Sequence, residues 1–412
     1  MATQPISKQK TTATPVRLAY IGCWYRNDMY SHNCSNLVDS LRKAGTQVDV
    51  VTSNCRCFST AQNFAVAKDE LINENCSVIA IPHAPHDPGM KHGRLKYLAV
   101  KILRLDLILA TARGFLYYKR ARKADVIHFD QVLEAFGFIP LYIVLNLASW
   151  FGKRVTVTVH EIDLFQKKHL RVNRCYRKCA EIFVYSENMK RQVVALGAPA
   201  EKIKVIRYGA MIPQLVATER TQYIYFGGHF ILRGKGYPEL LDALARLKSK
   251  GVRICLVIYV GYGCNGLAEA REMAHNKHVD DMIKWEDFYS GEELARVYQR
   301  SKACIIPFTG GSARHPLTCA MVNATPVIAT RAVDIPEYLG NLGIYIDGSS
   351  VSIADAIADI ESGRRNIDAL GENLRAKAVA ELDYHRIAED LGTEYARIGR
   401  ERLVTLRADP AA

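Results

Sequence analysis

What most restricts this chain is a series of short, nearly unbroken apolar segments, each followed by a helix-length stretch, with the whole series met twice. In the first half the segments are 16-VRLAYIG-22, 47-QVDVVTS-53, 77-SVIAIP-82, 125-DVIHFD-130, 154-RVTVTVH-160, 181-EIFVYS-186 and 203-IKVIRYG-209. In the second they are 222-QYIYFGG-228, 253-RICLVIYVG-261, 282-MIKWED-287, 303-ACIIPF-308, 326-PVIAT-330 and 343-GIYID-347. Strands that do not alternate polar with apolar are covered on both faces, as in a parallel sheet sandwiched by helices. Helices are expected at 31–44, 94–123, 133–151 and 187–196, then at 236–250, 266–276, 291–301, 316–323, 351–361 and 384–403. The fold class is therefore α/β, with two tandem Rossmann-like, doubly wound domains and a cleft between them. The expected division is a disordered tail at 1–15, a first domain at 16–212, a second at 213–383, and a C-terminal helix and tail at 384–412. A chain of 412 residues, about half of them apolar, can bury two such cores.

Composition narrows the setting. The N-terminus, MATQPISKQKTTATP, has no apolar stretch of the kind a secretory signal needs. The eleven Cys follow no disulfide or metal-ligand spacing, and Cys255 and Cys304 lie in apolar runs, where a cysteine is a small buried hydrophobe. The expectation is reduced thiols and a cytoplasmic location. The longest apolar run, 135-AFGFIPLYIVLNLASWF-151, contains Pro140 and Asn146 and is at the short limit for a membrane span. A helix buried against a sheet suits it better.

The formal charge of +13 is concentrated. Residues 91–123 carry ten Lys or Arg against one acid, Asp106. Leu95, Leu98, Ile102, Leu105 and Leu109 recur at helical spacing, and Tyr97, Phe115, Tyr117 and Tyr118 add aromatic rings. Such a helix, over 94–123, can lie on an anionic lipid surface from the inner face of a membrane. It can equally be a domain helix with a solvated basic face. No nucleic-acid-binding motif accompanies it, so nucleic acid is not an expected partner.

Two glycine loops stand out. Residues 261-GYGCNG-266 match the dinucleotide fingerprint G-x-G-x-x-G, which would make the chain an NAD-dependent enzyme. The match lies on the second strand of its domain rather than the first, and the ribose-binding acid could be any of Asp280, Asp281 or Glu286. The second loop, 227-GGHFILRGK-235, places Gly228, His229, Arg233 and Lys235 immediately before a helix. Fixed cations and a helix N-terminus stabilise a phosphate.

Several segments together resemble the GT-B glycosyltransferases of family 4, which use nucleotide sugars. They are 185-YSENMKRQVVALGAPAEKIKVIRYG-209, 225-YFGGHFILRGKGYPELLDAL-244, 261-GYGCNG-266, 290-SGEELARVYQRSKACIIPF-308 and 324-ATPVIAT-330, with 156-TVTVHE-161 in the first domain. The likeness covers about 185–350 well. It implies transfer of a sugar from a nucleotide-diphosphate sugar, with the first domain holding the acceptor and the second the donor. The basic segment 94–123 suggests a lipid-linked or polysaccharide-precursor acceptor.

By this resemblance Lys235 takes the family's phosphate-binding lysine position and His229 that of its arginine, with Arg233 able to supply the missing charge. The fold also implies that basic side chains do the work of a metal, and no D-x-D motif ends a strand; no metal or other cofactor is expected. The family carries two Glu residues at the spacing of Gly311 and Cys319, so both carboxylates are absent here. What replaces them is Gly310, Gly311, Ser312, Arg314 and His315, then a helix beginning at Pro316 and running through Leu317, Thr318 and Cys319. This loop still suits an anionic donor, with Arg314 pairing with the diphosphate or with the carboxylate of a uronic acid. Gly261, Gly263 and Glu286 complete the expected donor site.

In the first domain His160 would contact donor or acceptor sugar. A retaining reaction needs no strong base; an inverting one would draw on Glu161 or Asp163. The loop 22-GCWYRNDMYSH-32 lacks the family's glycine pair, so Tyr25, Arg26 and Asn27 could line the acceptor side. The alternative to a transferase is a catalytically inactive GT-B relative that acts as a binding partner.

Overall fold

The computed structural model describes residues 16–22, 29–53, 76–79, 105–130, 138–160, 162, 172–216, 218–287 and 291–408. Two parallel sheets organise them. The first has seven strands, β1 (Arg17–Ile21), β2 (Gln47–Ser53), β3 (Cys76–Ile79), β4 (Val126–Asp130), β5 (Arg154–Thr158), β6 (Glu181–Val184) and β7 (Ile203–Val205), in the order β3-β2-β1-β4-β5-β6-β7. The second has six, β8 (Gln222–Phe230), β9 (Leu256–Asn265), β10 (Ile283–Asp287), β11 (Ser301–Ile306), β12 (Val327–Ala329) and β13 (Ile344–Tyr345), in the order β10-β9-β8-β11-β12-β13. Every neighbouring pair is parallel. Each sheet is thus doubly wound, and its strand order reverses between β1 and β4 in one and between β8 and β11 in the other. In doubly wound sheets ligands bind at such a reversal.

The apolar strands are buried as their composition requires: every residue of β4 is buried, as are Leu18 to Ile21 of β1. The helices of the first half are α1 (Met29–Lys43), α2 (Leu105–Ala121), α3 (Phe138–Trp150), α4 (Val172–Lys178) and α5 (Glu187–Ala195). Those of the second are α6 (Tyr237–Ser249), α7 (Leu267–Asn276), α8 (Glu292–Gln299), α9 (Arg314–Val322), α10 (Ile335–Leu339), α11 (Ser350–Glu361), α12 (Ile367–Glu381) and α13 (Tyr384–Ala408).

α13 crosses back. Ile387, Ala388, Leu391, Tyr395 and Ile398 join Leu18, Tyr20, Val38 and Leu41 in one buried cluster against the first sheet. Its entry is fixed by a short backbone bridge, with Ala210 N–H donating to Leu382 O at 2.8 Å and Tyr384 N–H to Ala210 O at 3.3 Å. The C-terminal helix is therefore part of the first core.

Three differences from the sequence reading have physical causes. β9 does not stop at Gly261 but runs to Asn265, because Asn265 still pairs with Phe230 of the extended β8. α9 begins at Arg314, two residues before Pro316, so Pro316 sits inside the first turn, where its missing N–H has no helical partner to lose. Cys255, read as buried, is exposed because β9 begins only at Leu256 and leaves it outside the strand, whereas Cys304, inside β11, is buried; the cysteines whose side chains the structure describes are free thiols. The expected helix 94–123 is described only over α2, and Leu95, Tyr97, Leu98 and Ile102 lie outside the described residues. The apolar run 135–151 becomes α3, with Leu141, Val144, Leu145 and Ala148 in the core. No helix among the described residues is long and apolar enough to cross a membrane.

Candidate functional site

The site is built from the residues that follow β8 and β11 in the second sheet and from the ends of β4 and β5 in the first. In the second domain, β8 ends in 226-FGGHF-230, where the ladder shifts register at Gly228. Gly228 has φ +60 and lies under Lys235, whose Nζ would be 3.8 Å from a Cβ placed there. The Lys235 ammonium sits 4.3 Å from the centroid of the Phe308 ring, two residues past the end of β11. This cation–π contact holds the lysine across the mouth of the reversal. Gly236 caps α6 in the left-handed conformation with φ +65, and a Cβ there would collide with the Pro307 carbonyl. Glycine is required at that position by both backbone geometry and space.

The two loops are tied together. Gly234 O accepts from Thr309 N–H at 2.9 Å and from Gly310 N–H at 3.1 Å. The start of α6 and the start of α9 thus face one crevice, and both helix N-termini are favourable places for negative charge. Gly311, with φ +73, leaves open space where a side chain would be. His315 packs edge-on to Phe226 at 5.4 Å, and the Cys319 thiol lies 3.6 Å from its Nε2.

Arg314 does more than the sequence suggested. It is only 5% exposed and pairs with Asp334 at 2.8 Å within its own domain. Its other nitrogen donates across the cleft to the main-chain carbonyl of His160, and the guanidinium stacks 5.2 Å from the Tyr185 ring. The charge that the loop offers is thus met by Asp334, and Arg314 joins the two domains. Around it, the Glu337 carboxylate accepts the N–H groups of Glu187 and Asn188, both at 2.8 Å, and so caps α5 from the other domain. The Tyr338 hydroxyl donates to Tyr185 O at 3.1 Å and accepts from Tyr208 N–H at 3.0 Å.

Across the cleft stands a buried polar cluster at the β1/β4 reversal. Asp130 Oδ1 is 2.6 Å from His160 Nε2, and Asp130 Oδ2 accepts from the Cys34 thiol at 2.9 Å. Burial alone would raise the Asp130 carboxyl's pKa. The His160 imidazole, with His128 and the Cys34 hydrogen bond, instead holds it well below the ordinary carboxylate range.

Both halves of the chain match family models: residues 31–209 match the Glycosyl transferase 4-like domain, and residues 221–362 match Glycosyl transferases group 1. The chain belongs to the family 4-like GT-B glycosyltransferases. Relatives include the MMP alpha-(1->4)-mannosyltransferase of Mycolicibacterium hassiacum, 26% identical over a region that covers 40% of this chain and 40% of that protein. Another is the D-inositol 3-phosphate glycosyltransferase of Corynebacterium kroppenstedtii, 29% identical over 43% of this chain and 44% of that one. Each alignment thus spans less than half of the curated relative. Among solved structures, Anabaena Alr3699/HepE in complex with UDP and glucose superposes with a TM-score of 0.66 at 15% identity, covering 93% of this chain and all of that one.

Within this GT-B frame the residues singled out from sequence divide. Gly228, Lys235, Gly310, Gly311 and His315 gather at the second reversal, and His160 stands opposite, joined through Arg314. Arg233 is exposed in the same loop, and Ser312 stands between Gly311 and α9. His229 has its backbone in β8. Leu317 and Thr318 are buried, with Leu317 in the domain core and the Thr318 hydroxyl donating to His315 O at 3.2 Å. Leu317 therefore offers a donor no side-chain contact. Glu286, on β10, forms an ion pair with Lys284 two residues before it. Gly261 and Gly263 lie within β9 rather than in a phosphate turn, and the turn comes at Gly266, with φ +83. That geometry removes the dinucleotide fingerprint and with it the basis of the NAD reading. Glu161, Asp163, Tyr25, Arg26 and Asn27 lie outside the described residues. The sequence reading missed Asp130, Asp334, Glu337 and Tyr338; only their spatial partners mark them, and those lie on other elements or in the other domain.

Proposed function

We propose that this protein moves a sugar from a nucleotide-diphosphate sugar to a lipid-linked or polysaccharide-precursor acceptor at a membrane surface. The observation that carries the donor half is the Lys235 loop, tied to the Gly310 loop at the β8/β11 reversal. The departing diphosphate gains negative charge as the glycosidic bond breaks. The Lys235 ammonium and the N-termini of α6 and α9 meet that charge without reorganising. HepE, with UDP bound on the same fold, supports a nucleotide in this crevice. The acceptor hydroxyl's proton can pass to the leaving phosphate oxygen. No metal enters the reading.

The acceptor half rests on the face formed by α2 and α3. The two helices touch where Gly114 lies against Ile143, and Phe151 stacks on Tyr118 at 5.7 Å. Ile108 and Phe115, two turns apart, are exposed, as is Trp150, at 80%. Lys119, Arg120, Arg122 and Lys123 follow them on exposed positions. Exposed aromatic and aliphatic side chains beside a cationic rim fit an anionic bilayer interface, with the enzyme peripheral on the cytoplasmic side.

One assay tests both halves. A panel of nucleotide sugars is offered with and without anionic vesicles carrying membrane-extracted acceptor, and the released nucleotide is identified. The expected result is release of one nucleotide, stimulated by the vesicles, and lowered ~100-fold in Lys235→Ala. Release that is equal in Lys235→Ala defeats the transferase assignment. Binding of a nucleotide sugar with no turnover under any condition favours the inactive, partner-binding relative.

A further inference from the structure

The Asp130–Cys34–His160–Tyr185 cluster has no counterpart in the sequence reading, and its geometry is that of a held imidazole. Asp130 closes β4 and His160 follows β5; the two strands are in register, with Asp130 opposite Thr158. Both side chains are almost wholly buried, Asp130 at 2% and His160 at 5% exposure. The Tyr185 hydroxyl oxygen lies 3.0 Å from the same Nε2 that faces Asp130, and its ring stands edge-on to the imidazole at 5.0 Å. A cavity of about 20 Å³, room for about one water, borders the cluster and is lined by Tyr20, Cys34, Asp130, His160, Tyr185 and Tyr208, among others.

An ionised carboxylate can only accept hydrogen bonds. With Asp130 kept anionic, the proton on His160 must therefore sit on Nε2, shared between Asp130 Oδ1 and the Tyr185 oxygen. In the neutral ring the basic nitrogen is then Nδ1. The Cys34 thiol uses the second carboxylate oxygen, so the carboxylate itself cannot rotate away. The main chain of His160 is held separately, by Arg314 from the second domain.

We infer that Asp130 is a positioning residue for His160, fixing its tautomer and ring plane next to the point where Arg314 of the second domain holds the His160 main chain. The inference rests on the transferase reading for its kinetic consequence, but not for its structural content. Carboxylates that orient metal-bound histidines are worth about 10–100-fold in activity, and an effect of that order is expected here.

The test is a double-variant cycle read together with the tautomer. In the wild type, 15N-histidine NMR is expected to show a proton held on His160 Nε2, and Asp130→Asn, which can donate as well as accept, should lose or mix that placement. Asp130→Asn should lower kcat 10–100-fold with the donor KM unchanged, yet cost under about 2-fold when His160 is already Ala. A purely structural role predicts instead equal losses in both backgrounds. If Asp130→Asn does not fold, the same cycle is run with Asp130→Glu, which keeps the charge but displaces the carboxylate, with the same expectations for kcat and non-additivity. Equal losses in the two backgrounds, or a wild-type His160 with no proton on Nε2, overturns the inference. A correct tautomer in a protein that turns over no nucleotide sugar leaves Asp130's role standing and defeats the transferase reading alone.

Discussion

At the scale of single residues, the buried histidine His128 shows how one mid-strand position can set acid stability. Its ring is fully enclosed, with Nδ1 2.9 Å from the Thr156 hydroxyl and Nε2 3.2 Å from that of Thr158. Burial lowers its pKa to about 4, against the pull of Asp130, which favours the charged form. In the unfolded chain the same group protonates near its ordinary value of 6.5. Between those two pH values the unfolded state binds the extra proton, so stability falls as pH drops from about 6.5 toward 4. The slope approaches about 1.4 kcal/mol per pH unit for this group alone. Glu181, whose carboxyl burial pushes up to about 7, pulls the other way over the same range, so urea unfolding at pH 7.5, 6 and 5 should show the wild type's advantage over His128→Gln shrinking as pH falls. An unchanged slope in His128→Gln would assign the decline to other groups. The partners of this histidine could not be read from sequence: 125-DVIHFD-130 looks like any buried strand, and the threonines that satisfy the ring come from β5. Arg314 shows the same limit. Its charge was legible as a cation in a glycine loop, whereas Asp334, which meets that charge, lies on the far side of α9 and β12.

At the scale of elements, strand and helix order was largely legible, because continuous apolar runs and amphipathic repeats are local signals. Ends were less so. β9 overran its expected limit because its partner β8 is long, a property of the pair rather than of either sequence. α12, 367-IDALGENLRAKAVAE-381, was missed: it has a glycine in its middle and only Gly371, Leu374 and Ala378 fully buried. A Cβ at Gly371 would strike the Ala324 carbonyl, so the glycine is needed for the close approach of α12 to α9. α13 was read as a polar terminal helix, yet its apolar stripe completes the first domain's core. That makes a direct prediction. Leu391 is 2% exposed and packs in that cluster, so Leu391→Ala should cost about 2–4 kcal/mol of first-domain stability. Guanidinium unfolding followed by hydrogen exchange at β1 and β2 measures it. If protection in β1 and β2 is untouched, α13 is an appendage rather than part of the core.

At the scale of the whole molecule, the two domains meet through a short polar seam, and Arg314 is its centre. Within the described residues, contacts that cross the seam include the Arg314 bond to His160 O, the Glu337 cap on α5 and the two hydrogen bonds of Tyr338. A GT-B cleft must admit a donor between the domains, so a seam this polar is suited to opening: hydrogen bonds to water replace those lost. Arg314 is the exception, since its ion pair with Asp334 is dry. Removing one partner of a buried pair leaves the other charge unmet, typically at a cost of about 3–5 kcal/mol, which water entering the seam relieves. Arg314→Ala should therefore favour the open arrangement, seen as a larger radius of gyration by small-angle scattering, while the sheets stay folded. Asp334→Asn added to Arg314→Ala should bring the radius back toward the wild-type value, because no charge is then stranded. Should Arg314→Ala scatter like the wild type, the seam is held by Glu337 and Tyr338, and Arg314 acts on the His160 main chain alone.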